Sequence, residues 1–202
     1  MPLTVLLGGA RSGKSALAVR LAAGWPGPVA VVVTAEAGDA EMAERIRRHR
    51  AERPAGWRTV EAPRELEPAL AAAPADAFVL LDCLTLWVAN LIEQGLTDEQ
   101  VERRARSAAA AVAARAAPAV AVSNEVGAGI VPADPLARRY RDLLGQVNAI
   151  WAGAAGQALL LVAGRAVPLL DPLAALGAGG PQAAAPRSAP DEAATAAPGP
   201  DA

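Results

Sequence analysis

Along the chain, short runs of consecutive apolar residues alternate with longer stretches in which alanine and leucine recur at helical spacing. Residues 3–7 (Leu-Thr-Val-Leu-Leu) form the first run; closed by Gly8-Gly9, it reads as a buried strand. An Ala/Leu-rich helix follows over 14–23, a second strand over 29–34 and a second helix over 40–52. Residues 78–82 (Phe-Val-Leu-Leu-Asp) are a third buried strand that ends in an acid. Thr97-Asp98-Glu99-Gln100 has capping-box spacing and predicts a long helix to about Ala116. Residues 119–122 are another strand. Asp134-Pro135 offers an N-cap with proline at the first helical position, and the helix is expected to run to about Ala152. Residues 159–162 are the last expected core strand. Strands that are apolar on both faces and alternate with helices imply a mainly parallel sheet covered on both sides, an α/β fold.

The chain has 202 residues, 53% of them hydrophobic, which suffices for one domain core. From residue 174 onward alanine, glycine and proline dominate, and such a segment buries too little apolar surface to offset its ordering entropy. Residues 1–173 are therefore expected to be the folded domain and 174–202 a disordered tail. The net charge of −2 gives no support to a dedicated nucleic-acid binder. One cysteine forms no internal disulfide and fits a reducing compartment. No apolar run reaches the length of a membrane span, and no basic-then-apolar leader opens the chain, so a cytoplasmic protein is expected.

The basic residues are 18 arginines and one lysine, Lys14. That lysine lies in Gly8-Gly9-Ala10-Arg11-Ser12-Gly13-Lys14-Ser15, which fits Gly-x4-Gly-Lys-Ser between a strand and a helix. Glycines let the backbone wrap a phosphate, and the N–H groups and dipole of the helix start favour the anion. Lys14 is placed to reach the β- and γ-phosphates, and the Ser15 hydroxyl to bind Mg²⁺. A planar guanidinium would not fit such a cradle as a compact ammonium does. Asp82, at the end of its strand, suits the same Mg²⁺ or its water shell; a helix cap is the alternative, and beside the phosphate loop the metal role is preferred. Cys83 has no local His or basic partner and is expected to be a small core residue.

The single histidine, His49, stands among five arginines in Arg45-Ile46-Arg47-Arg48-His49-Arg50-Ala51-Glu52-Arg53. On a helix Arg45, His49 and Arg53 share a face. One reading is a solvated helix face. The other is a second phosphate-handling site, in which a neutral imidazole is the nucleophile and guanidiniums neutralise a triphosphate and its pyrophosphate leaving group. Spacing alone leaves both open. A further polar segment, Ser123-Asn124-Glu125-Val126-Gly127-Ala128-Gly129-Ile130-Val131-Pro132, follows a strand and belongs at the same carboxyl edge of the sheet. Glu125 there is a candidate acid, base or ligand contact, against the alternative of an ordinary connection. Arg138, Arg139, Tyr140, Arg141, Asp142 and Asn148 lie on one helix that reads mostly as packing surface.

Together, GGARSGKS at 8–15, AEMAERIRRHRAERPAGWRTVE at 40–61, LLDCLTLWVANLI at 80–92, VSNEVGAGIVP at 122–132 and LARRYRDLLGQVNA at 136–149 resemble one family. It is the bifunctional adenosylcobinamide kinase/adenosylcobinamide-phosphate guanylyltransferase family of cobalamin biosynthesis. The resemblance implies a P-loop, RecA-like fold and two reactions on a corrinoid substrate. ATP or GTP phosphorylates the aminopropanol hydroxyl of adenosylcobinamide, and GTP then gives GMP to that phosphate, releasing pyrophosphate. It implies guanylylation of His49, and GTP contacts at Gly8, Gly9, Ala10, Arg11, Ser12, Gly13, Lys14 and Ser15. Further contacts would fall at Val33, Thr34, Ala35, Arg50, Ala51, Glu52, Arg53, Glu61 and Asp82. It also implies a trimer. Ala149 departs from the glutamine common in the family, and the tail after residue 173 is outside its pattern. A single-function phosphate-loop kinase leaves His49 without a role. A guanine switch reading Asn-Lys-x-Asp is excluded because Lys14 is the only lysine, which leaves a degenerate nucleotide sensor as the non-catalytic alternative.

Overall fold

The structure, a computed structural model, describes residues 3–51 and 53–177. Glu52 and residues 178–202 of the expected tail lie outside the described residues. The chain divides into two units, one ending at Leu170 and one beginning at Asp171.

The first unit is a seven-stranded sheet. Its strands are β1 (Leu3–Gly8), β2 (Val29–Val33), β3 (Arg58–Glu61), β4 (Phe78–Asp82), β5 (Ala119–Val122), β6 (Gln157–Val162) and β7 (Arg165–Leu169). The helices are α1 (Lys14–Ala23), α2 (Ala40–Ala51), α3 (Leu66–Ala71), α4 (Leu84–Glu93), α5 (Asp98–Ala113) and α6 (Pro135–Ala154). Spatial order is β3-β2-β4-β5-β1-β6-β7. All neighbours pair in parallel except β6 and β7, which form an antiparallel hairpin. In the second unit, a short helix α7 (Pro172–Gly177) takes in residues 174–177, which the composition had placed in a disordered tail.

Each central strand buries both faces, as its uninterrupted apolar run requires. Leu3, Val5, Leu7, Val79, Leu81, Ala119 and Ala121 face one core, with Trp87 of α4 and Trp151 of α6, both fully buried. Leu6, Val31, Leu80, Val120 and Val122 face the other, with Ala18 and Ala22 of α1. Small alanines let α1 approach the sheet closely and α5 pack against α6 and α3, which is the use this chain makes of its alanine excess. Burial of one such Trp or Leu contributes about 2–3 kcal/mol.

The expected elements recur with small shifts. The Thr97 capping box is formed: Gln100 N–H donates to Thr97 Oγ1 at 3.3 Å and Thr97 N–H to Gln100 Oε1 at 2.8 Å. The Asp134 carboxylate caps α6 through the Ala137 N–H at 2.8 Å. Helix α5 stops at Ala113 rather than Ala116, because Arg115 turns away to donate to the carbonyls of Pro74 and Ala77. Strand β6 is not the last strand. A two-residue turn, Ala163-Gly164, both at positive φ, returns the chain as the exposed edge strand β7. Among the described residues, no helix is long and apolar enough to cross a membrane.

Candidate active site

Strand β1 delivers the phosphate loop at the carboxyl edge of the sheet. Gly8 has φ 147°, and a Cβ there would stand 2.3 Å from the Leu161 carbonyl oxygen of β6, so only glycine fits. Gly13, at φ 100°, caps α1. The turn after β6 braces the loop through Gly164 N–H to the Ser12 carbonyl at 3.1 Å, and Glu125 N–H reaches the Gly8 carbonyl at 3.0 Å from the other side. Lys14 is buried, its ammonium donating to the carbonyls of Gly8 (2.8 Å) and Gly9 (2.7 Å) and to Ser12 Oγ (3.3 Å). Burial lowers its pKa, opposed by electrostatic attraction to Cys83, where that thiol is ionised, and to Asp82. Gly9, Ala10 and Arg11 are exposed on the outer curve of the loop, and Ser15 is half-buried on the first turn of α1.

Asp82 ends β4, separated from β1 by β5. Its carboxylate accepts from Arg53 Nη2 at 3.2 Å, and His49 Nδ1 lies 3.8 Å from the same oxygen. Thus the arginine-rich segment does meet the acid at the end of the third predicted strand. The route differs from the helical face expected for Arg53: α2 ends at Ala51, and Arg53 reaches Asp82 from beyond the helix. Nothing is described of the Arg45 side chain, the third member of that face.

Between α2 and the sheet edge is a cavity of about 450 Å³. Met42, Ile46 and Leu86 give it apolar walls; His49, Arg50, Arg53, Glu61 and Asp82 supply charge, and Val33 and Ala35 line its strand side. Ala51 is exposed at the end of α2. Thr34 is fully buried and its hydroxyl is committed: it donates to the Cys83 carbonyl at 2.6 Å and accepts from the Cys83 N–H at 3.0 Å. It therefore ties the β2 end to the β4 end. Cys83, expected in the core, packs against the core on the α1 side of the sheet but is not fully enclosed by it. It is half-buried at the N-terminus of α4 and lines the cavity. Desolvation, with the Asp82 charge, pushes its thiol pKa up, away from reactivity.

The sequence reading missed β3, α3, α4 and β7, and with them Asn90. This buried side chain of α4 donates to the Thr34 carbonyl at 2.8 Å and the Pro63 carbonyl at 2.9 Å, pinning the loops after β2 and β3. A single amide side chain within the mostly apolar run Leu84–Glu93 is the signal that could have found it. The Asn124 segment is anchored separately: Asn124 N–H donates to Thr85 Oγ1 at 2.8 Å, and Asn148 Nδ2 to the Asn124 carbonyl at 3.0 Å. Arg138 and Arg139 serve as ties, to the carbonyls of Pro132 and Ala133 and to Asp98.

No cluster of three or more His, Cys, Asp or Glu side chains suited to a metal occurs among the described residues. The oxygen donors present, the Ser15 hydroxyl and the Asp82 carboxylate, suit a hard cation that takes its remaining ligands from phosphate and water.

A glycine-bounded loop between a parallel strand and a helix, a buried lysine within it and an acid two strands away define a phosphate-loop nucleotide-binding protein of the RecA-like type. More narrowly, the chain belongs to the cobinamide kinase / cobinamide phosphate guanyltransferase family, whose model matches residues 4–169. It is 44% identical over 168 residues to the bifunctional adenosylcobalamin biosynthesis protein CobP of Pseudomonas aeruginosa, covering 82% of this chain and 95% of that one. It is 38% identical over 181 residues to the bifunctional adenosylcobalamin biosynthesis protein CobU of Salmonella typhimurium, covering 83% of this chain and 99% of that one. Among solved structures, a prototypical ATPase from the type III secretion system of pathogenic bacteria superposes with a TM-score of 0.49 at 13% identity, over 80% of this chain and 52% of that one. The fold assignment rests on strand order and the loop, not on that superposition.

Proposed function

We propose that this chain carries both family reactions, phosphorylating the hydroxyl of a cobinamide and then capping the new phosphate with GMP. Lys14 and the loop N–H groups hold the β- and γ-phosphates while the substrate oxygen attacks the γ-phosphorus and the nucleoside diphosphate leaves. Ser15 and Asp82 would hold Mg²⁺ there, which supplies charge neutralisation on the phosphates. ATP and GTP are both proposed as donors for this step.

In the second reaction His49 is the nucleophile. Asp82 lies on its Nδ1 side, which leaves Nε2 free to attack the α-phosphorus of GTP. The bond from that phosphorus to the bridging oxygen breaks and pyrophosphate leaves. Arg50 and Arg53 line the same cavity and would offset the charge on the leaving group. The oxygen of the cobinamide phosphate then attacks the phosphoramidate, the N–P bond breaks and His49 is regenerated. Val33, Ala35, Arg50, Arg53 and Glu61 are the proposed GTP contacts of the cavity, and Glu61 can accept from a base that presents paired N–H donors, as guanine does. Thr34 is proposed to shape that wall through its backbone.

The observation that carries this reading is the convergence of His49 and Arg53 on Asp82, at the same sheet edge as Lys14. The test is incubation with Mg²⁺ and GTP labelled at the α or the γ position, followed by denaturation. Acid-labile, base-stable label from the α position only, absent in His49→Ala, is expected. Guanylylation retained in that variant would exclude His49; no label from either position would leave a single-function kinase or a nucleotide sensor. Trimeric assembly and a cytoplasmic location are proposed from the family resemblance and from the single cysteine respectively.

A further inference from the structure

The loop after β5 ends in an exposed apolar tip that the nucleotide chemistry does not use. Ile130 is 95% exposed, Val131 59% and Leu136 58%. Behind the tip, between residues 127–131 and α6, runs an open groove of about 630 Å³. Its floor has almost no side chains: Gly127, Gly129, Gly145 and Ala149 line it, and a Cβ at Gly129 or Gly145 would meet nothing within 4 Å. Ala149 adds only a methyl group to the same recess. One rim is apolar, from Val131; the other carries Gln146 and an Arg141–Asp142 pair joined at 2.9 Å, so its charges cancel.

The groove is not remote from the phosphate loop. Glu125, two residues before its first glycine, is hydrogen-bonded to Gly8, and its carboxylate is folded back onto the Gly127 N–H at 2.5 Å. Asn148 and Thr85 fix the preceding residue, so the root of the loop is rigid while its tip is bare. A wide, flat recess with one apolar rim and one uncharged polar rim suits a large ring with apolar faces and neutral amide arms. It offers neither the net charge that would select a nucleic acid or a charged peptide, nor the deep pocket that would enclose a nucleotide.

We infer that this groove and the 126–131 tip are the docking platform for the corrinoid ring, which lies there with its hydroxyl arm directed past Glu125 to the phosphate loop. The inference rests on the function proposed above. Ile130 and Val131 cover one face of the ring, and Gln146 and Arg141 donate to its amide oxygens.

Equilibrium dialysis of cobinamide against the full chain tests it, with Ile130→Asp and Gly145→Leu beside the wild type. Ile130 is exposed and Gly145 has open space above it on a helix, so both substitutions leave the core untouched. Each is expected to weaken cobinamide retention about tenfold or more, while labelling of the protein by α-labelled GTP is unchanged. If the wild type retains cobinamide and both variants retain it equally, the platform lies elsewhere although the functional reading stands. If the wild type retains none but is labelled by GTP, the corrinoid reading itself fails. A change in sedimentation of either variant would assign this face to contact between copies of the chain and overturn the proposal.

Discussion

The phosphate loop and the arginine-rich segment of α2 lie at the same carboxyl edge of the sheet, the first after β1 and the second against Asp82 of β4, yet they are built by different physics. The loop, residues 8–15, grows directly out of the sheet core. Its glycines fall at the positions its turns require, and its lysine, Lys14, is buried and fully hydrogen-bonded within the loop. Helix α2 lies on the edge of the sheet, mostly exposed, and the Arg53 that follows it is tied to the acid by one ion pair across 29 residues of sequence. One region is a cradle whose lysine bonds within the loop itself and whose backbone is braced by the turn after β6 and the loop after β5. The other is an arm held by a long-range contact, which suits it to carry a group between partners.

The sharpest way to break this contrast is to remove the charged group from each region. Lys14→Ala is expected to lower kinase turnover by about 10³-fold with little loss of folding stability, because the buried ammonium is already disfavoured by desolvation. His49→Ala is expected to eliminate covalent GMP and leave the kinase step within about twofold, as for a residue outside that step's transition state. Steady-state assays of each half-reaction separate the two. Equal damage to both reactions by either variant would mean that loop and arm form one site.

Next in size is the backbone of the cradle. Gly8→Ala places a methyl 2.3 Å from a backbone carbonyl at a positive φ, whereas Gly9 has free space and no such constraint. Urea denaturation should show a cost of about 3 kcal/mol for Gly8→Ala and under about 0.5 kcal/mol for Gly9→Ala. Similar costs at both positions would mean that the β1–β6 approach is looser than the sheet register implies.

The arm gives a smaller number. Arg53→Ala leaves Asp82 half-buried with one partner fewer and is expected to cost about 2 kcal/mol, below the range for fully buried pairs because water still reaches the carboxylate. In the Arg53→Ala/Asp82→Asn double variant the loss should be less than the sum of the single losses, by about 1 kcal/mol. Additive losses would show that the pair does not hold the arm.

This difference in construction also explains what could be read before folding. Gly8, Gly13, Lys14 and the strand that carries them are legible because their roles follow from spacing within eight residues. Asp82 is legible as the end of an apolar strand. The pairing of Arg53 with Asp82 is not, since no periodicity links positions on different elements, and helical spacing pointed instead to a face shared with Arg45. β3 and β7 went unread for a related reason: Arg58–Glu61 is too short and polar to signal a strand, and Pro168 interrupts the run in β7. Asn90 and Thr85 bind backbone carbonyls and N–H groups, whose positions only the fold defines.

The smallest effect sharpens the comparison from a third place, the root of the 124–131 loop. Tyr140, the only tyrosine of the chain, donates its hydroxyl to the Thr85 carbonyl at 3.3 Å, and Thr85 in turn accepts from Asn124. Burial, with the Cys83 charge as a lesser cause, pushes the phenol pKa from 10.0 up to about 12. In the unfolded chain the phenol ionises near its ordinary value, so the folded state holds the proton more tightly. Its stabilising contribution is complete below pH 10 and is lost as pH rises toward 12. The loss should amount to about 1–2 kcal/mol, since the side chain retains some contact with water. Because no second tyrosine contributes, the phenolate absorbance of the native protein reports this group alone, and a midpoint near 12 is expected. Tyr140→Phe should remove that pH dependence while costing about 1 kcal/mol at neutral pH. A native midpoint near 10 would mean that the root is open to solvent, and rigidity would then belong to the phosphate loop alone.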